Sequence, residues 1–168
     1  NLSTASKKVS HYFNTWQNKN LEPFHLPAPS PNEKEKVCLI DFPQAKDCTI
    51  YLGNIAFPRT SSDFFPFIVL NQVLGGTPNS RLFMNLRESK GYAYFAFSEA
   101  EFYKESGIFF VKAKVTPEAS FASLQEILKE IRNVTEEKIL TFEIEQAKSY
   151  LIGNFPLKIE RYDHFSSR

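Results

Sequence analysis

Apolar positions recur along this chain with two different periods. Over residues 4–16, Val9, Tyr12, Phe13 and Trp16 fall at helical spacing with lysines between them, which predicts an amphipathic helix. From Leu21 to Lys36 the chain turns polar and carries Pro23, Pro27, Pro29 and Pro31, a composition that favours extended backbone and forbids a helix. Two β-rich runs follow, Val37–Phe42 and Thr49–Phe57, and the Pro43–Asp47 stretch between them predicts a hairpin. Ser61-Ser62-Asp63 then offers capping side chains before Phe65, Val69, Leu70, Val73 and Leu74, with Gly75-Gly76 as the stop. A shorter helix is predicted from Ser80 to Ser89, with Leu82, Phe83 and Leu86 inward and Gly91 just past its end.

The period then changes to two. Tyr92–Tyr103 and Ile108–Thr116 are rich in aromatic and β-branched residues, and the second alternates Phe109, Val111, Ala113 and Val115 with Lys112 and Lys114, so one sheet face is buried and the other wet. Thr116-Pro117-Glu118 supplies a cap and an N1 proline for a helix with Phe121, Leu124, Leu128 and Ile131 on one face. Thr135-Glu136-Glu137 is predicted to open a last helix striped by Leu140, Ile144, Ala147 and Leu151. The resulting order, β-β-α-α-β-β-α-α, predicts an α+β fold: a mostly antiparallel sheet with helices on one face.

Composition narrows the classes of function. The chain has 168 residues, 42% apolar and 23% charged, the profile of one folded domain, with 17 Phe and 7 Tyr weighting it toward sheet. A net charge of +1 and the absence of an arginine-rich stripe exclude a nucleic-acid partner on electrostatic grounds. No apolar run is long enough to span a bilayer. The opening Asn1-Leu2-Ser3-Thr4 is neither an initiator methionine nor a signal peptide, and the chain ends without a closing strand, so truncation at both ends is expected. The sequence sets no compartment.

Candidate chemistry is sparse. His11, His25 and His164 lie in three different segments, and neither His-Glu-x-x-His nor His-x-x-Glu-His occurs, so no helix offers two imidazoles and a carboxylate to a metal. Cys38 and Cys48 lack zinc-knuckle spacing and read as structural thiols, not as a disulfide. The Gly75–Ser80 loop follows a helix and lacks a Gly-Lys-Ser/Thr ending, so it reads as a helix-to-helix turn, not a phosphate loop. Neither Glu143 with Glu145 nor Glu136 with Glu137 reads as an acid/base couple.

The run Ser80-Arg81-Leu82-Phe83-Met84-Asn85-Leu86-Arg87-Glu88-Ser89-Lys90-Gly91-Tyr92-Ala93-Tyr94, preceded by Leu74-Gly75-Gly76, is of another kind. It resembles the C-terminal-half signature of pitrilysin-type (M16) zinc metallopeptidases, where a helix ending in Leu-Arg-Glu passes through a glycine to a strand bearing a tyrosine. Tyr12-Phe13 with Trp16, the proline linker, Asp41-Phe42-Pro43 and Ala147-Lys148-Ser149-Tyr150 resemble the same family in the same order.

The resemblance implies a LuxS/M16 metallohydrolase-like α/β sandwich. It also implies three parts: residues 1–20 closing a preceding region, a linker over 21–36, and a substrate-facing domain over 37–168. In that family an arginine and a tyrosine seven positions apart reach from the non-catalytic half toward a zinc site in the other half. Here they are Arg87 and Tyr94, expected to donate hydrogen bonds to a peptide carbonyl and to stabilise its oxyanion, by about 3 kcal/mol per donor in other enzymes. Tyr92, two residues earlier, is expected on the same strand face as Tyr94. The implied partners are a peptide substrate and a catalytic half, in the same polypeptide or a second subunit, which carries the zinc; this chain alone is expected to bind no zinc and cleave nothing. The alternative is an inactive M16-like scaffold within a larger complex, and a third reading is a peptide-binding module without chemistry.

Overall fold

A computed structural model of the chain describes residues 1–16, 27, 29–30 and 34–159. Most of the expected linker therefore lies outside the described residues, as do His25 and His164. Helix α1 (Leu2–Phe13) is opened by the Asn1 side chain, which accepts from Ser3 N at 3.0 Å, and it buries none of its residues. Strand β1 (Cys48–Ala56) leads to α2 (Phe64–Asn71), which continues as a π-helical turn over Gln72–Gly76. Helix α3 (Arg81–Phe83) likewise widens into a π-helical turn over Met84–Ser89. Strands β2 (Ala93–Phe102) and β3 (Gly107–Val115) follow, then α4 (Ser120–Glu136) and α5 (Thr141–Ile159). The three strands form one antiparallel sheet in the order β1-β3-β2, with the helices on one face, as the patterning predicts.

The buried face is built from small and β-branched residues. Ala93, Ala96, Val111, Ala113 and Val115 point inward against Leu74, Leu82, Leu86, Ile127 and Val134 of the helices. Full burial of Leu82, Leu86, Val111, Val115 and Ile127 contributes about 1.5–3 kcal/mol per side chain before chain entropy is subtracted.

A polar lock sits beside this core: Asn71 Nδ2 donates to Ser98 O at 3.3 Å while Ser98 Oγ donates to Asn71 Oδ1 at 2.6 Å. Both residues are buried, and the pairing fixes α2 to β2 at one register. The contact is close because Gly75 has no side chain, since a Cβ there would lie 2.3 Å from the Ser98 backbone nitrogen.

Three sequence expectations need correction. Residues 37–42 form no strand, and the hairpin with β1 is absent. β1 pairs with β3 along one edge and has no partner on its other edge among the described residues, and Val37 and Leu39 are 93% and 89% exposed. The last helix does not start at Thr135-Glu136-Glu137. Those residues end or follow α4, and α5 begins at Thr141, where Glu143 Oε2 accepts from Leu140 N at 3.0 Å and closes the first turn. Finally, α4 is rotated from the expected stripe: it buries Ser123, Ile127 and Val134, while Phe121 and Leu128 are exposed. Its sequence carries two apolar faces, and the face holding the small Ser123 lies against the sheet.

Replacing Gly75 with alanine should destabilise the domain by about 2–3 kcal/mol through overpacking against Ser98. Gly153→Ala in α5, where a Cβ would meet nothing within 4 Å, should instead be neutral or stabilising by up to about 1 kcal/mol. Thermal unfolding of the two variants in the complete gene product checks both, and equal midpoints would refute the close approach.

Candidate functional site

Arg87 and Tyr94 stand on either side of one helix-to-strand junction. The helix of Arg87 ends at Lys90, and Gly91 follows with φ +63°, the left-handed conformation that a side chain disfavours. Gly91 N donates to Arg87 O at 3.2 Å and Tyr92 N to Leu86 O at 2.8 Å. The second bond spans one residue more than the corresponding bond of a Schellman cap on an α-helix, because the turn being capped is π-wide. Leu86 is fully buried at the same point, so its side chain and its carbonyl both anchor the junction.

The segment bearing Arg87 is fastened on two sides. Arg81 makes a bidentate pair with Glu143 of α5, Nε to Oε1 at 2.7 Å and Nη2 to Oε2 at 2.8 Å. Asn85 Nδ2 donates to Glu126 Oε2 at 3.0 Å and Glu130 Oε1 at 2.6 Å, and Lys90 Nζ lies 3.1 Å from Glu126 Oε1, which ties the turn to α4. The Arg81 hydrogen bonds hold the Glu143 carboxyl below its usual range, and the Asn85 hydrogen bond, aided by Lys90, does the same for Glu126. Arg87 itself is half-exposed: its guanidinium carbon lies 4.8 Å from the Phe83 ring centroid, and its Nε is 3.8 Å from the Glu88 carboxylate. The cation–π contact restrains the side chain, which stays about half exposed.

Tyr94 is positioned by an irregularity in the sheet. Ala93 pairs with Val115 and Phe95 with Lys114, so Tyr94 is an extra residue in β2, a β-bulge. The bulge aims Tyr94 away from the core, and the residue is 61% exposed. Tyr92 does not share a strand face with it: that residue precedes β2, is partly covered, and has Lys90 Nζ 5.8 Å from its ring centroid. Beside the bulge, Lys114 Nζ lies 2.8 Å from Asp47 Oδ2; this hydrogen bond and charge hold the ammonium above its ordinary range, and Tyr94 adds a smaller upward push.

The structure thus brings Arg87 and Tyr94 to one end of the sheet, both exposed and not hydrogen-bonded to each other. His11 is exposed on α1, and Cys38 and Cys48 are free thiols. Among the described residues no group of three or more His, Cys, Asp or Glu is placed to hold a metal ion, so these residues do not fit a zinc site. Sequence reasoning missed the Arg81–Glu143 pair and the bulge. Neither has a local signal: the pair joins residues 62 apart in sequence, and a bulge carries no composition signal of its own.

The acid stability of the domain should reflect these carboxylates. A depressed folded-state pKa contributes stability that is complete above the unfolded carboxylate range and is lost as pH falls through the folded value. Glu143→Gln should therefore flatten the acid limb of a midpoint-against-pH curve and lower stability by about 2 kcal/mol at neutral pH. Unchanged acid sensitivity in the variant would count against the pair.

Comparison with known proteins identifies the family and the fold. The family model described as Peptidase M16 inactive domain matches residues 1–151. An uncharacterized zinc protease of Bacillus subtilis, YmxG, is 33% identical over 105 residues, covering 62% of this chain and 25% of that protein. An uncharacterized zinc protease of Mycobacterium leprae is 34% identical over 125 residues, 74% of this chain and 28% of that protein. The chain spans about a quarter of the length of these curated relatives. Among solved structures, a protease from Helicobacter pylori superposes with a TM-score of 0.81 at 19% identity, covering 99% of this chain and 41% of that one. A peptidase M16 inactive domain from Pseudomonas fluorescens gives 0.63 at 22% identity over 66% of this chain and 27% of that one. At these identities the structural matches establish the fold alone.

Proposed function

This chain belongs to the peptidase M16 inactive-domain family, and from that premise we propose that it is the substrate-facing half of a two-part zinc peptidase. It holds an extended peptide against a catalytic half, in the same polypeptide or a second subunit, that supplies the zinc. Within this chain the contact with the reacting bond falls to Arg87 and Tyr94. The guanidinium and the phenol donate hydrogen bonds to the carbonyl of the bond being cleaved and favour the charge that grows on its oxygen. Donors that are fixed before the substrate arrives need no reorganisation during the reaction, which is why the rigidity of their mounting matters.

The observation that carries this reading is the bulge. Counted from the buried Ala93, a regular strand would turn Phe95 back to the core; with the extra residue Tyr94 and Phe95 both lie outside it, and the exposed tyrosine stands seven residues from an exposed arginine whose segment is tied to α4 and α5. Bulges that re-aim a side chain are over-represented beside active sites. An arginine and a tyrosine serving only as a helix-end cation and a packing aromatic would need no such mounting.

In the complete gene product with its catalytic half, Tyr94→Phe and Arg87→Ala should each lower kcat/KM for unstructured peptides by about 10²-fold, with thermal midpoints unchanged. Cleavage that survives both substitutions would reduce the pair to packing residues. No chelator-sensitive cleavage by the wild type would favour an inactive scaffold.

A further inference from the structure

The face of the sheet turned away from the helices is unlike an ordinary wet face. On β3 it presents Ile108, Phe110, Lys112 and Lys114; the register sets Lys112 directly opposite Tyr51 on β1 and Phe97 on β2. Phe95 stacks on Phe97 with ring centroids 5.5 Å apart, and Phe110 lies 6.3 Å from Tyr51. Lys112 Nζ sits 5.1 Å from the Tyr51 centroid and 5.9 Å from that of Phe95. Two aromatic rings therefore flank one ammonium near the centre of this face, and Phe97 and Phe110 lie beside those two rings.

The charge of that ammonium is not neutralised. Its neighbour Lys114 is paired with Asp47 at 2.8 Å, whereas Lys112 has no ion-pair partner among the described residues. Ring faces attract a cation without cancelling its charge, and they displace water from its flanks, so an anion arriving from above meets a positive charge in a less polar setting than open solvent. The rest of the face limits the anion. Glu99 and Glu101 stand on the same side, opposite Phe110 and Ile108, and would repel a polyanion such as a nucleic acid strand. One carboxylate carried between apolar side chains suits both the single free cation and the aromatic surface around it.

We propose that Lys112, framed by Tyr51, Phe95 and Phe97, is a specificity-determining residue that receives one acidic side chain of an extended peptide. The inference rests on the substrate-facing reading above, because the Lys112 site is continuous with Tyr94 on one face. Phe95, next to Tyr94, pairs with Lys114, and Lys112 lies two residues farther along β3, about 7 Å. A peptide running beside the strand covers that distance in two residues, so the preferred acid should fall about two positions from the carbonyl that Tyr94 contacts.

The test is equilibrium binding of labelled, unstructured peptides to the chelated complete gene product, read by fluorescence anisotropy so that nothing is consumed. The peptides are identical except for Glu, Gln or Lys at one scanned position. At one position Glu should bind about three- to tenfold more tightly than Gln, with Lys weakest, and the difference should shrink as salt is raised. Lys112→Gln should erase the preference with the Gln peptide unaffected, and Lys112→Arg should keep it. The proposal is overturned by the absence of a Glu preference, by a preference that survives Lys112→Gln, or by weakening of all three peptides alike. Tyr94→Phe kinetics on the same peptides separate the two ideas: a cleavage rate indifferent to Tyr94 beside an intact, Lys112-dependent Glu preference sinks the role of Tyr94 and leaves peptide recognition by Lys112 standing.

Discussion

The hydrogen bond from Tyr92 N to Leu86 O, 2.8 Å long, joins the helical layer to the sheet at the point where both are most constrained. Leu86 is sealed in the core, so its carbonyl cannot shift to find another donor, and Tyr92 is the last residue before β2. Between them the chain must reverse in five residues, which the π-wide turn and the left-handed Gly91 permit. An α-helical ending would place the strand one residue out of register. Because side chains alternate along a strand, that slip would exchange the buried Ala93 and Ala96 for their exposed neighbours.

The bulge at Tyr94 belongs to the same constraint. Ala93 pairs with Val115 deep in the core, while Phe95 and Phe97 pair with Lys114 and Lys112 outside it. Both halves of the strand are in register with β3 only if one residue between them is left over. The leftover residue has no ladder partner and little packing to satisfy, which frees it to carry a side chain chosen for something other than stability. Arg87 is in a comparable position, one residue after the buried Leu86 and held by its neighbours' contacts with α4 and α5 more than by its own.

Periodicity alone exposed most of the framework. The alternation of Val111, Ala113 and Val115 with Lys112 and Lys114 names the buried and wet faces of β3 correctly, and Gly91 marks the helix end to the residue. The failures share a cause: local pattern cannot say which partner a segment will find. Val37–Phe42 has the composition of a strand but lies exposed, and the edge of β1 that it was expected to join has no partner among the described residues. In α4 two apolar faces compete, and the packing of Ser123 and Ile127 against the sheet decides between them. At the candidate site the resemblance supplied Arg87 and Tyr94 as a pair. Nothing in composition or spacing announced the bulge or the salt bridge, because the bulge is set by the register of β2 on β3 and the salt bridge joins Arg81 to Glu143, far apart in sequence.

If the zinc is supplied by a catalytic half, as proposed, this chain can still add what a metal ion cannot supply. A divalent cation attracts any carbonyl oxygen within reach and is nearly blind to the side chains on either side of it. The outer sheet face has the opposite character, with aromatic surface on three strands, a single unpaired ammonium at its centre, and glutamates toward one end. On the proposed reading such a surface would discriminate among peptides through their side chains, by contacts that are individually weak. With Tyr94 at the boundary of that face, the proposed roles fall to one strand: its aromatic residues would favour a particular stretch of sequence, and its bulged tyrosine would meet the carbonyl of that stretch.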